Sequence, residues 1–316
     1  MIERVPLDGD YGHPAEPGWR GTDWARWERD ALVAGRRLRF IDTGEGPLAF
    51  VLVHGMGGRW QHWLETVPTL AGQGRVVALD LPGFGDSEPP AAAASLDGFA
   101  DAVAELARSL GIERVVLVGH SMGGPVALRF ASRHPELAEA IVLVGGAVYQ
   151  FSALLGLRDV LRFTFQRPRE TAAIAAEIAT AGLPAPARLQ RLVASSPVLR
   201  RAFLSPYVLD PVALPVDTAA LIVEGAGAPG VLPTVRAIGR ADPREGLDGI
   251  RCPILSIASD RDRITPLADT EAFHRDVPRA RTVVLEGCGH MSMLERPRAF
   301  NAQLLAFATT LIPTPS

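Results

Sequence analysis

The sequence predicts a doubly wound α/β fold, in which a mostly parallel sheet is covered by helices on both faces and is interrupted by an inserted helical cap. Three observations carry this expectation. Short β-branched runs at 37–41, 49–53, 76–79, 115–118, 141–144, 254–258 and 282–285 alternate with helix-like stretches, the pattern of buried parallel strands joined by crossover helices. The rhythm stops after residue 144, and from 147 to 245 no strand series appears. Segments 151–165 and 170–181 read there as helices, punctuated by Pro168, Pro184, Pro186, Pro197, Pro206 and Pro211. Strand-like runs resume at 254, so one core is interrupted rather than followed by a second domain. The expected division is an N-terminal arm at 1–30, a core at 31–146 and 246–316, and a cap at 147–245.

Residues 1–30 fit neither core nor cap. Trp19, Trp24 and Trp27 sit close together in them and are expected to pack the arm onto the core. Runs 37–41 and 49–53 are separated only by the turn Asp42-Thr43-Gly44-Glu45-Gly46-Pro47, so the sheet is expected to begin with an antiparallel hairpin. The strand at 49–53 leads into a glycine-rich loop, His54-Gly55-Met56-Gly57-Gly58. A second turn-rich loop spans 80–87 and is read as structural.

Composition excludes several classes of function. The chain has 316 residues, 47% of them hydrophobic and 21% charged, which is ordinary for a globular protein and excludes disorder. A net charge of -3 offers no basic field for a nucleic-acid backbone, so no nucleic-acid partner is expected. The N-terminus lacks a basic start followed by an apolar run, and no stretch reaches the roughly 18 apolar residues that a membrane span needs. Cytoplasm is the expected location. Cys252 and Cys288 have no metal-site spacing and read as free thiols, and neither metal nor cofactor is expected.

The chemistry is carried by Gly119-His120-Ser121-Met122-Gly123, which lies between a strand-like and a helix-like run. That context fits a sharp turn exposing a nucleophilic serine, with Gly119 and Gly123 removing side chains where strand and helix converge. The helix N-terminus beneath it offers N–H groups to a developing anion. A serine needs a base, and of seven histidines His290 stands out. It follows the last strand-like run in a glycine-rich loop, Gly287-Cys288-Gly289-His290, that can deliver the ring to the serine. A carboxylate must then fix the imidazole tautomer. Asp260 and Asp262, on the loop after 254–258, compete for that role.

These motifs resemble the α/β-hydrolase superfamily, and within it the capped esterase and carboxylesterase-like hydrolases with an HSMGG elbow, over roughly residues 30 to 312. In that family the acid usually stands four residues before a proline, as in D-x-I-T-P, which selects Asp262 with Pro266 behind it. The run GCGHMSMLERP resembles the family's histidine loop and supports His290. The resemblance implies a Ser121, His290 and Asp262 triad. It also implies that His54 to Gly58 is an oxyanion loop, with Gly55 and Gly57 as its glycines and the backbone N–H groups of Met56 and Met122 as donors. One departure is Ser259, where the family often has glycine.

The resemblance implies a serine hydrolase acting on an ester, thioester or lactone of a mostly apolar acyl substrate. Relatives that cleave haloalkanes or epoxides carry aspartate at the elbow, and Ser121 argues against both. Carbon–carbon bond hydrolases tend to have asparagine before the serine and tryptophan after the histidine, where this chain has His120 and Met291. They remain an alternative, as do a cofactor-free perhydrolase, a biosynthetic acyltransferase, cyclase or lyase, and a non-catalytic binding protein. The cap is rich in apolar residues, including Phe151, Leu154, Leu155, Phe163, Phe165 and Phe203, part of which is expected to line a pocket. Arginines 158, 162, 167, 169, 188, 191, 200 and 201 there outnumber Asp159, Glu170 and Glu177. They read as solvated helix faces or as a surface for an anionic group such as coenzyme A or an acyl-carrier phosphate.

Overall fold

Alternation within a single strand shows how the sheet is built. The strand Arg114–His120 places Val115 and Leu117 on one face and Val116 and Val118 on the other, all buried. A strand apolar on both faces must be covered on both, and each buried valine or leucine contributes about 1.5–3 kcal/mol. The structure is a computed structural model that describes residues 2–14, 18–146, 149, 164–165, 168, 171–172, 186–242 and 244–311.

Among the described residues the sheet has nine strands: β1 (Ile2–Val5), β2 (Glu28–Val33), β3 (Arg36–Asp42), β4 (Leu48–Val53), β5 (Arg75–Leu79), β6 (Arg114–His120), β7 (Ala138–Val144), β8 (Ile254–Ser259) and β9 (Arg281–Leu285). Their order is β1-β9-β8-β7-β6-β4-β5-β3-β2. Every pairing from β1 to β5 is parallel, and only β5–β3 and β3–β2 are antiparallel. The mostly parallel sheet expected from the sequence is therefore present.

The opening hairpin differs from expectation. Strand β3 pairs with β5 and β2 rather than β4, so the turn at 42–47 is a crossover and not a hairpin. The hairpin joins β2 to β3 through Ala34 and Gly35, both at positive φ (48° and 71°), the two-residue turn whose twist matches paired strands.

One face carries α2 (Leu96–Ser109) and α3 (Gly123–Arg133). Ser95 caps α2 by accepting from Gly98 N at 2.9 Å, and Leu96, Phe99, Ala100, Val103 and Ala107 form its buried stripe. The other face carries α1 (Val67–Ala71) and a C-terminal helix, Pro297–Thr309, whose Phe300 packs on Trp63 with ring centroids 6.3 Å apart. Between β7 and β8 the described elements are all helical: α4 (Ala187–Ser195), α5 (Pro197–Leu204), α6 (Val216–Glu224) and α7 (Val231–Ile238).

The expected helices at 151–165 and 170–181 fall, isolated positions aside, outside the described residues. So do Phe151, Leu154, Leu155, Phe163, Arg158, Arg162, Arg167 and Arg169, with Asp159, Glu170 and Glu177. Phe165 and Phe203 are exposed. Arg200 is buried, and its guanidinium donates to the carbonyls of Leu214 (2.7 Å) and Val212 (3.2 Å), so it fixes a turn. Among the described residues, no helix is long and apolar enough to cross a membrane, and no cluster of three or more His, Cys, Asp or Glu could hold a metal ion.

Candidate active site

Parallel strands deliver their carboxyl ends to one edge, and in an open α/β sheet that edge forms a crevice where the strand order reverses. Here the reversal lies between β4 and β6. The loops leaving β4, β6, β8 and β9 bring His54–Gly58, Ser121, Asp262 and His290 to it.

Ser121 sits between β6 and α3 with φ of 50°, one of two non-glycine residues at positive φ among those described. Its backbone is held on both sides, since Ser121 N donates to Val144 O (2.8 Å) and Ser121 O accepts from Gly124 N (2.8 Å). A left-handed serine is unfavourable, and it persists because close packing leaves no alternative. A Cβ on Gly119 would overlap the Gly123 carbonyl, one on Gly123 would lie 2.7 Å from Val53 O, and one on Gly55 would lie 2.9 Å from the Ser121 Cβ. These glycines let β4, the elbow and the early loop touch.

His290 and Asp262 meet in the interior. His290 Nδ1 lies 2.8 Å from Asp262 Oδ2, and both side chains are nearly inaccessible. Asp262 Oδ1 accepts from the backbone N–H groups of Ile264 and Thr265, each at 2.8 Å, and Oδ2 also accepts from the Thr265 hydroxyl at 2.7 Å. An ionised carboxylate suits that environment, because every contact to it is a donor. With Nδ1–H donating to Asp262, Nε2 is the nitrogen that can take a proton. Asp260 is used differently: it accepts from Gly287 N at 2.7 Å and pairs with Arg261 at 3.3 Å.

Three further histidines lie buried and are held neutral, His120 against His290 and His54 and His62 in and just beyond the early loop. His120 Nε2–H donates to His290 O (3.0 Å), and the two rings lie 4.7 Å apart; burial, with His290 alongside, holds His120 well below the usual histidine range. His54 accepts from Leu81 N through Nε2 (3.0 Å), which leaves Nδ1–H to donate to Gly55 O (2.7 Å) and ties the early loop; burial pushes it down to about 3. His62 reaches Leu221 O on α6 through Nε2 (3.1 Å) and is pushed down to about 4, again by burial. Met56 follows Gly55 in the turn closed by Gly58 N and Gly55 O (3.0 Å), Gly57 has φ of 66°, and Met122 is the residue preceding α3.

Two buried carboxylates were not singled out from the sequence. Asp80 accepts from Trp60 N (2.7 Å) and Asp86 N (2.8 Å), joining the early loop to the 80–87 loop, and burial pushes its carboxyl up to about 6. Glu295 closes a short helix, Ser292–Glu295, and accepts from Gly289 N (2.9 Å), Met291 N (3.2 Å) and Leu209 N (2.8 Å). Burial pushes it up to about 7. Thr265 was visible only as part of a motif.

The family described as alpha/beta hydrolase fold matches residues 49–297. An acetyltransferase component of an acetoin cleaving system from Pseudomonas putida is 32% identical over 278 residues, covering 88% of this chain and 68% of that protein. A 2-hydroxymuconate semialdehyde hydrolase from a Pseudomonas species is 29% identical over 287 residues, 86% of this chain and 90% of its own length. Among solved structures, a membrane phospholipase A aligns with a TM-score of 0.65 at 25% identity, over 90% of this chain and 86% of that one.

Proposed function

The chain belongs to the α/β-hydrolase family, and from that premise we propose that it is a serine hydrolase cleaving an ester, thioester or lactone of a mostly apolar acyl substrate. The observation that carries this reading is the buried His290–Asp262 contact of 2.8 Å beside a serine held at positive φ. In the proposed cycle His290 Nε2 takes the Ser121 proton as Oγ attacks the carbonyl carbon. Asp262 stabilises the resulting imidazolium without itself becoming protonated. The N–H groups of Met56 and Met122 receive the oxyanion, each such donor being worth about 3 kcal/mol in comparable sites. The imidazolium then protonates the leaving group, and water activated by His290 hydrolyses the acyl-Ser121 ester.

The described helices between β7 and β8, α4 to α7, would belong to a cap over this site. Helix α6 reaches that side of the site, with Leu221 O against His62 just beyond the early loop, and Gly225 lies so close to the early loop that a Cβ there would overlap the Gly57 carbonyl. The test is a panel of p-nitrophenyl esters from acetate to palmitate, run beside thioesters and lactones. A burst of nitrophenolate equal to the enzyme concentration, with longer acyl chains preferred, is expected. Preference for acetate would overturn the apolar-pocket reading, and absence of any burst or turnover would overturn ester hydrolysis.

The name of the acetyltransferase relative favours a second reading, transfer of the acyl group to an acceptor other than water. Acceptor alcohols or thiols that raise nitrophenolate release and yield the acylated acceptor would support it.

A further inference from the structure

The loop carrying His290 is held by contacts beyond those among the triad's side chains. His290 N donates to Tyr207 O (2.7 Å), on the segment linking α5 to α6, and a Cβ on Gly289 would lie 2.9 Å from that same carbonyl. Gly289 N and Met291 N, on either side of His290, both donate to Glu295. A third amide, Leu209 N, donates to Glu295 Oε2, so one buried carboxylate ties the histidine loop to the intervening helical segment.

Among the described residues that carboxylate has one side-chain donor, and it comes from the far end of the sequence. Tyr11 OH lies 3.0 Å from Glu295 Oε2, while the same hydroxyl accepts from Asp210 N at 2.7 Å. A phenol has one proton to give, and the charged oxygen competes for it better than Asp210 O at 3.2 Å. Around Tyr11 the arm is anchored by Gly12 N to Glu295 O (2.8 Å) and by Asp10, which accepts from Arg296 Nε (2.6 Å) and Ala299 N (3.1 Å). The arm, the histidine loop and the segment at 207–210 thus converge on Glu295.

We infer that Tyr11 is a positioning residue for His290, acting through Glu295 to hold the histidine loop against Asp262 and the elbow. The inference rests on the serine-hydrolase reading for its catalytic consequence. An ionised Glu295 can accept from all of its donors at once, whereas a protonated one must turn an O–H toward a ring of N–H groups. Burial raises its carboxyl to about 7, and the Tyr11 hydrogen bond works in the opposite direction by favouring the charged form. Tyr11 itself is held far above the ordinary phenol range by burial and by Glu295, so it remains a donor. The other ionisable groups around Glu295 are Cys288 and His290 on the loop, Asp210 beside Tyr11, and Arg296, which is paired with Asp8 and Asp10.

Tyr11→Phe removes the hydroxyl and keeps the ring. It is expected to lower kcat about tenfold at neutral pH while KM changes less than about twofold, because the loss falls on geometry at the reacting atoms. The acidic limb of its kcat/KM profile should move up by about one pH unit, since Glu295 loses a donor to its charged form. Amide hydrogen exchange over 287–294 should be faster in the variant, a readout that needs no turnover. Arg20→Gln is the control: it cuts the arm's tie to Asp217 (2.6 Å) without touching Glu295 and should leave the profile unchanged. Unchanged kcat, limb and loop exchange in Tyr11→Phe, or an equal shift in Arg20→Gln, would overturn the inference. A wild-type enzyme that a fluorophosphonate does not label at Ser121 would overturn the serine-hydrolase reading, and with it the catalytic part of this one.

Discussion

Replacing Asp262 by asparagine tests the proposed triad at the atom where its logic is most exposed. Asp262 Oδ1 faces two backbone donors, Ile264 N and Thr265 N, so the amide oxygen of an asparagine must settle there. Its NH2 group is then forced into the place of Oδ2, 2.8 Å from His290 Nδ1. A donor in that position requires Nδ1 to accept, which moves the ring proton to Nε2 and leaves His290 unable to take the serine proton. In a serine protease the equivalent substitution costs about ten-thousand-fold in kcat, or about 5 kcal/mol, and the same loss is expected here. Thr265 can rotate its hydroxyl, so the fold should survive, as a thermal melt would show. The assay is kcat for a p-nitrophenyl ester across pH, with Asp260→Asn in parallel. Asp260 serves Gly287 N and Arg261, and its substitution should be mild. A loss below about tenfold in Asp262→Asn, or a larger loss in Asp260→Asn, would refute the reasoning.

Ser121→Ala and His290→Ala should each lower kcat by around a million-fold, measured as single-turnover release of nitrophenolate, with little further loss in the double variant. Gly119→Ala should prevent or strongly impair folding, because its Cβ would overlap the Gly123 carbonyl; soluble, active protein with an unchanged melt would contradict this. Thermal stability should fall as pH drops from about 6.5 toward 4. His54 and His62, pushed down to about 3 and 4, stay neutral in the fold while the unfolded chain takes up protons, so their stabilising contribution is present above the unfolded pKa of 6.5 and lost below it. Asp80 and Glu295, raised to about 6 and 7, act in the opposite sense, and with His120 also held low the histidines outweigh them. His62→Gln keeps a donor for Leu221 O and should remove on the order of 3 kcal/mol of that acid sensitivity. An unchanged stability–pH slope in the variant would count against a neutral, buried His62.

The strands that place the site were legible because they are buried on both faces. Runs such as VVLV in β6 and IVLV in β7 carry no polar interruption, and the six strands β4 to β9 are visible as mostly apolar runs, while β3, RRLRFID, is visible only through its alternation of arginines with buried Leu38 and Phe40. Strands β1 and β2 were not, because they form the two edges of the sheet. IERV and ERDALV are largely exposed, and Leu32 points to solvent, so their composition reads as an arm. The misplaced hairpin has a related cause: adjacency in sequence suggested that β3 and β4 pair, whereas β5 lies between them.

In the candidate site, the sharp turn at Ser121 and the loop carrying His290 could be read from glycine spacing. The proposed acid could not be chosen from the residues alone, since Asp260 and Asp262 share one polar loop and only the fold separates them, bringing Asp262 to His290 and Asp260 to Gly287 N. Glu295 was hidden because a single acid at the end of SMLE looks like the polar face of a short helix. Its partners come from residues 11, 209, 289 and 291, a convergence that only the fold creates.

The most direct test of the central claim is covalent labelling. The protein is treated with a fluorophosphonate, and the modified peptide is located by mass spectrometry. One adduct per chain, on Ser121, is predicted, with its formation slowed in His290→Ala and abolished in Ser121→Ala. No adduct, or an adduct on another residue that survives Ser121→Ala, would contradict the account.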